Sequence, residues 1–279
     1  MKDKQIIDAV YERDAIIDWI KKYFLENGSA KSKAVIGISG GKDSTVAAAL
    51  LVRALGPDRV VGVMMPNGHQ ADIEDSKEVC EILGIQHYLI DIGDPLAALY
   101  NRLLPIAADA ENPLPPVVTT NTPARIRMAT LYAVAGLVGG RVCNTGNASE
   151  LYIGYTTKYG DLAGDFALLK NYHVRDVIAI GLTLDEIPTR LITKAPGDGM
   201  CGKSDEDNFG FTYETLDAYR LDGVMPEYDI LRNIETRHER NQHKDAIQLP
   251  APYPRSRHSE TKNWEPKDVR VYYEYNCHI

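Results

Sequence analysis

Ile6, Ile7, Val10, Ile16, Ile17, Ile20 and Phe24 recur at the spacing of one helical face, so residues 3–26 are expected to form one or two amphipathic helices. Asn27-Gly28-Ser29 ends them. The period then changes. Short apolar runs at 33–38, 59–65 and 86–91 read as buried strands, the second closed by Pro66-Asn67-Gly68. Helical stretches at 43–55 and 71–83 separate them, the latter with Ile73, Val79, Cys80 and Leu83 facing inward. This alternation predicts an α/β fold, a doubly wound parallel sheet flanked by helices.

Beyond residue 91 the pattern is less regular. Residues 105–123 hold five prolines and a Thr-Thr-Asn-Thr run, and read as a surface loop. Pro123 then suits the first turn of a helix that runs to about Val138, capped by Thr122 or Asn121. Arg141 to Asn144 is a short fourth strand, followed by helical segments near 147–152 and 172–182. Residues 194–212 are rich in glycine and acids, and a loop of that length suggests a lid. The tail beyond Leu249 fits no pattern, and no internal repeat is present. The whole of 1–279 is therefore taken as a single domain.

The first strand stops abruptly. Ile36 to Ser44 read Ile-Gly-Ile-Ser-Gly-Gly-Lys-Asp-Ser, and a helix opens directly after. Glycines let backbone N–H groups approach a ligand, and a helix N-terminus adds partial positive charge. Such a loop is an anion site, most often for phosphate. Asp43 after Gly41-Lys42 breaks the Walker pattern, and the glycine spacing does not match a Rossmann fingerprint. Ser-Gly-Gly-x-Asp-Ser resembles instead the PP-loop of ATP pyrophosphatases, which split ATP into AMP and pyrophosphate.

Composition narrows the class of partner. With 44% hydrophobic and 25% charged residues the chain is ordinary for a globular protein. It has no apolar run long enough to span a membrane and no signal-peptide core, so it is expected to be cytoplasmic and to bind no membrane. The four cysteines form no Cys-x-x-Cys pair and read as free thiols. A formal net charge of −8 without basic stretches argues against a nucleic-acid partner and for small-molecule substrates.

A second constellation lies at the end of the fourth strand. Asn144-Thr145-Gly146-Asn147-Ala148-Ser149-Glu150 falls on the sheet edge that carries the glycine loop, where open parallel sheets bind ligands. Gly154-Tyr155-Thr156-Thr157-Lys158-Tyr159-Gly160-Asp161 and Asp165 follow, and Ala124-Arg125-Ile126-Arg127-Met128 lies upstream. Singly, each has a bland reading as surface charge. Together with Ser-Asp-Glu-Asp-x-x-Gly-Phe-x-Tyr and a late His243-Lys244, they resemble the ammonia-dependent NAD synthetases over residues 30–250.

The resemblance implies a homodimer that joins ammonia to the nicotinate carboxylate of deamido-NAD, by way of an adenylate, releasing AMP and pyrophosphate. It implies that Gly37, Ile38, Ser39, Gly40, Gly41, Lys42, Asp43 and Ser44 cradle ATP with Thr145, and that Asp43 and Glu150 hold Mg²⁺. Arg125, Lys158, Asp165, His243 and Lys244 match positions that bind deamido-NAD, with Lys158 joining Asp43 and Glu150 in the catalytic set. His243 and Lys244 belong either to the other subunit or to a closing segment of the same chain. The chain has no length to spare for a glutamine-splitting domain, so free ammonia is the expected nitrogen donor.

Three positions depart from the family pattern on the ATP side: Met64 and Val174, where an arginine and a lysine are usual, and Gly197, where a serine or threonine is. Lys42 is the expected substitute for the lost charge, with Lys170 and Lys203 as weaker candidates; a Lys42 pointing into solvent is the competing expectation. The rival functions are another PP-loop ligase, GMP-forming or tRNA-modifying, and a non-catalytic nucleotide-binding protein.

Overall fold

The computed structural model describes residues 6–245 except 69, 71, 108–113 and 195–204, and these residues fall within one compact unit ending at Asp245. Five strands form one sheet: β1 (Lys33–Gly37), β2 (Val60–Met64), β3 (Gln86–Leu89), β4 (Gly140–Asn144) and β5 (Phe166–Ala167). The order is β3-β2-β1-β4-β5 and every pair is parallel, as strand–helix alternation predicts. The reversal of strand order falls beside β1, so the loop after β1 opens at the topological switch point.

Alternate residues of β1 serve two cores. Ala34 and Ile36 join a large cluster with Phe24 of α1 (Ala9–Asn27), Leu50 and Leu51 of α2 (Lys42–Leu55), and Val79 and Cys80 of α3 (Ile73–Ile82). Val35 faces the other side, with Val61, Val63 and Val134. Asp8 caps α1, accepting from the Tyr11 N–H at 3.1 Å. At Gly62 a Cβ would lie 3.1 Å from Ile38 and 3.2 Å from Cys80, so the helix side packs directly on that strand backbone.

The proline-rich segment differs from expectation. After α4 (Gly93–Leu103), which the apolar pattern did not reveal, helix α5 runs from Pro116 to Val138 and contains Pro123. Pro116 fits the first turn, where its missing N–H costs nothing. Pro123 instead lies in the second turn and leaves the Thr119 carbonyl without its helical donor. The Tyr100 hydroxyl of α4 donates to that carbonyl at 3.4 Å.

Beyond β4, α7 (Val174–Gly181) packs on α1 and α2, and α8 (Thr189–Ile192) on α2, both adding to the large cluster. A smaller lobe comprises α6 (Ala148–Ile153), α9 (Asp205–Phe209), α10 (Tyr213–Asp217) and α11 (Tyr228–Asn241). Ile153, Val174, Phe209, Phe211, Tyr213, Leu216 and Ile234 form its small apolar nucleus. Part of the expected 194–212 loop is thus the helix α9. The central part of that loop and the tail beyond Asp245 lie outside the described residues.

Candidate active site

The turn after β1 is held by its own hydroxyls. Ser39 and Ser44 share a 3.1 Å contact, the Gly41 N–H donates to Ser39 Oγ at 3.2 Å, and the Ser44 and Thr45 hydroxyls donate to the Gly41 carbonyl at 3.1 and 2.8 Å. Gly40 has φ +78°, and a Cβ there would meet the Asp72 carbonyl at 2.8 Å. Glycine is therefore required twice over, by backbone conformation and by the approach of the segment leading into α3.

A pocket of about 170 Å³ lies over this turn, lined by Ser39, Gly41, Lys42, Asp43, Ser44, Thr145 and Glu150 among others. Lys42 Nζ is 2.9 Å from Asp43 Oδ2. Asn147 joins the two carboxylates: its side-chain amide donates to Asp43 Oδ1 at 3.2 Å, and its backbone N–H donates to Glu150 Oε2 at 3.0 Å. The Glu150 N–H answers to Asn147 Oδ1 at 3.0 Å, a capping box that fixes the start of α6.

Burial holds Glu150 well above the usual carboxylate range; the Asp43 charge pushes the same way and Lys42 pulls back. Burial works against the Lys42 ammonium, but the Asp43 and Glu150 charges outweigh it and hold its pKa above the ordinary value. Two carboxylates bridged by Asn147 on one pocket fit a divalent cation. Magnesium takes one or two carboxylates and completes its shell with phosphate oxygens and water. Among the described residues no group of three or more His, Cys, Asp or Glu side chains forms a fuller cage.

This pocket opens into a cleft of about 860 Å³. Val63, Met65, Met128 and Leu131 give one end an apolar lining, while Arg127, Arg237 and Lys244 line the cleft with cations. Lys244 donates to the Gly154 and Thr156 carbonyls at 2.7 and 2.8 Å, within the same chain. Asp161 lines the cleft wall and is exposed to solvent, yet partial desolvation by that wall pushes its carboxyl up to about 6, against the pull of the Thr157 N–H bond that it accepts.

The structure brings the expected residues together unevenly. Gly37, Ile38, Ser39, Gly41, Thr145, Glu150 and Lys244 line the cleft; Lys42, Asp43 and Ser44 line its inner pocket. Arg125, Lys158 and His243 do not line it but form a chain on its rim. Arg125 Nε donates to the Lys158 carbonyl at 3.3 Å, and Lys158 Nζ donates to the His243 carbonyl at 2.7 Å. Asp165 lies apart, its carboxylate accepting from the Val142 N–H at 2.7 Å on the edge of β4.

Met64 is buried in the main core and Val174 in the lobe's nucleus, so neither reaches a phosphate. Lys170 is tied to Asp245 at 2.6 Å on the surface; Lys203 and Gly197 lie outside the described residues. Asp161, Arg127 and Arg237 are cleft residues to which sequence reasoning gave no role. The first two sat inside the quoted motifs, so their types were visible but their aim was not. Nothing in the sequence distinguished Arg237 from the other charges of a polar helix.

The family model described as NAD synthase matches residues 12–251. The NH(3)-dependent NAD(+) synthetase of Pyrococcus furiosus is 34% identical over 238 residues, 84% of this chain and 89% of that protein. The structure of NMN synthetase from Francisella tularensis superposes with a TM-score of 0.79 at 32% identity, covering 89% of this chain and all (100%) of that one. The NH3-dependent NAD synthetase from Campylobacter jejuni, solved with a nitrate ion, gives 0.70 at 26% identity over 88% of this chain and 100% of its own. A glycine loop at the switch point, a facing carboxylate pair and a match over most of the chain place this protein in the NAD synthase family.

Proposed function

We propose that this protein is a ligase that amidates deamido-NAD with free ammonia at the expense of ATP, yielding NAD, AMP and pyrophosphate. The observation that carries the reading is the joining of Asp43 and Glu150 through Asn147, directly over the Ser39–Ser44 turn. A nicotinate carboxylate resists ammonia because it is anionic and lacks a leaving group. Adenylation supplies one: the carboxylate oxygen attacks the α-phosphate, and pyrophosphate departs into the inner pocket. In this reading Asp43 and Glu150 hold Mg²⁺, which offsets phosphate charge when bound. The Gly37–Ser44 turn and Thr145 hold the nucleotide, and the apolar end near Met65 and Leu131 takes adenine.

The nitrogen must be unprotonated to attack. We assign the ammonium proton to Asp161, whose carboxyl at about 6 accepts protons more readily than an ordinary aspartate. The rim Arg125–Lys158–His243, with Lys244, offers cations to a substrate that carries a diphosphate. Asp165 is assigned with them only on the family pattern. The exposed apolar groups Val117, Tyr132 and Leu137 of α5, with Leu99 of α4 and the following Leu104 and Ile106, leave apolar surface that supports a homodimer. No described helix is long and apolar enough to cross a membrane, and the reading places the protein in the cytoplasm. Residues 1–279 are proposed to act as one domain.

A second reading keeps the chemistry and shortens the substrate. The Francisella tularensis relative is an NMN synthetase, and its likeness favours a test of nicotinate mononucleotide as acceptor. The experiment is to follow AMP and pyrophosphate release with ammonia and either acceptor. Deamido-NAD is expected to give the higher kcat/KM. Preference for the mononucleotide would transfer the assignment, and release with neither would refute both.

A further inference from the structure

Lys42 is buried, with 4% of its surface exposed. Lysine ordinarily buries its stem and keeps its head in water. Here the head lies 5.7 Å from the centre of the Tyr213 ring and makes one hydrogen bond among the described residues, to Asp43. An ammonium has three donors. The Tyr213 hydroxyl is also buried and has no hydrogen-bond partner among the described residues. Of these two buried groups short of acceptors, Lys42 lines the inner pocket, so its ammonium has donors to offer an anion bound there.

The carboxyl groups of Asp43, Glu150 and Asp205 nevertheless line the same pocket and make it unfavourable to an anion on its own. An anion can enter only if cations arrive or are released. The other lysine of the pocket, Lys194, is committed elsewhere, 3.0 Å from Asp72 and 2.7 Å from Asp75. Lys42 is the first residue of α2, at the helix end that favours a phosphate.

We propose that Lys42 is an exchangeable cation: it neutralises Asp43 when no ligand is bound and passes to the pyrophosphate oxygens when a divalent ion takes Asp43 and Glu150. This rests on the reading of the inner pocket as the pyrophosphate end of an ATP site. It makes Lys42 the charge that Met64 and Val174, both buried in apolar clusters, do not supply.

The exchange has a signature that a structural lysine lacks, because removing Lys42 moves two affinities in opposite directions. Calorimetry on the full chain would measure Mn²⁺ alone, pyrophosphate with saturating Mg²⁺, and AMP. In Lys42→Gln, Mn²⁺ is expected to bind at least about threefold tighter, since the competing cation is gone. Pyrophosphate should bind roughly tenfold to a hundredfold more weakly, the loss of one charge-assisted contact. AMP should stay within about twofold, since it lacks the groups Lys42 would hold. Pyrophosphate affinity equal to wild type, or Mn²⁺ and pyrophosphate weakening together, would overturn the exchange. If Lys42→Gln loses its helical circular dichroism, Lys42→Met, which keeps an apolar stem in the buried position, is measured against the same criteria. Wild-type protein that binds no pyrophosphate with Mg²⁺ would refute the pocket reading itself, a result distinct from failure of the exchange alone.

Discussion

On the sheet side of the cleft, α2 is packed by Val46, Ala47, Ala48, Ala49, Leu50 and Leu51, all with 0% of their surface exposed. On the facing side, α6 is held largely by polar groups. The Ser149 hydroxyl donates to Asp217 Oδ1 at 2.6 Å and accepts from the Val174 N–H at 3.0 Å, while His173 Nδ1 lies 3.2 Å from the same carboxylate. Asp217 Oδ2 takes the Arg175 N–H at 2.9 Å, and Arg175 forks onto Asp222 at 2.6 and 2.9 Å. One side is anchored by area, the other by directed bonds. The difference suits their tasks. The glycine turn needs a rigid base, whereas Glu150 must stand one residue beyond Ser149 at a fixed distance from Asp43.

The largest effect expected across this divide is on turnover. Asp43 belongs to the sheet side and Glu150 to the polar side, and both are assigned to one metal. Alanine at either should lower kcat by at least about a hundredfold to a thousandfold, as loss of a preorganised charge does. Circular dichroism should be unchanged, since neither side chain packs a core. Turnover that survives in one variant alone, at saturating Mg²⁺, would show that the two sides do not share an ion.

A pair of core substitutions sharpens the contrast. Leu50→Ala removes packing and should cost about 2–5 kcal/mol of stability in urea unfolding. The fraction still folded should keep its KM for ATP, because the turn is bonded to itself. Asp217→Ala leaves the Arg175 N–H unpaired and the Ser149 hydroxyl with only His173 Nδ1 as acceptor, at 3.1 Å, and should cost about 1–3 kcal/mol. It should also raise the Mg²⁺ concentration needed for half-maximal rate, since α6 carries Glu150. Equal effects of both variants on the Mg²⁺ requirement would erase the distinction.

The same contrast decides what could be read from the chain. The β1–turn–α2 unit is a local object: an unbroken apolar strand, a glycine string and an apolar helix lie within 23 residues, Lys33–Leu55, and each was assigned within a residue or so of its place. The polar side is not local. Ser149 and Asp217 are 68 residues apart in sequence, and neither announces the other. The helices α9 to α11 contribute few apolar groups, so their period was too faint to read. The start of α5 is not legible in the sequence, because Pro123 breaks a helix unless something repairs it. The repair, Tyr100, belongs to a helix that was itself unread. Among site residues, the turn and Glu150 were legible from type and spacing. Which of Arg125 and Arg127 faces the cleft depends on how α5 rolls on the sheet, and that was not.

The smallest effect concerns Asp161, on the polar side. The folded protein raises its carboxyl from 3.8 to about 6, chiefly by desolvation, so the native state holds this proton more tightly than the unfolded chain does. The sign follows from linkage: where the native state binds more protons, stability falls as pH rises. Asp161 therefore contributes stability at pH values below 3.8, loses it as pH rises towards about 6, and above that carries the charge as a constant cost. Asparagine cannot ionise and can still accept the Thr157 N–H. Asp161→Asn should thus match the wild-type Tm at low pH and exceed it above pH 6, the gap opening between those limits. Turnover should fall in the same variant, because the proton acceptor assigned to ammonium is gone. A Tm below wild type at pH 8 would mean that the Asp161 charge is satisfied by its N–H partners after all. The polar side of the cleft would then hold one fewer group kept in place for chemistry at the expense of stability.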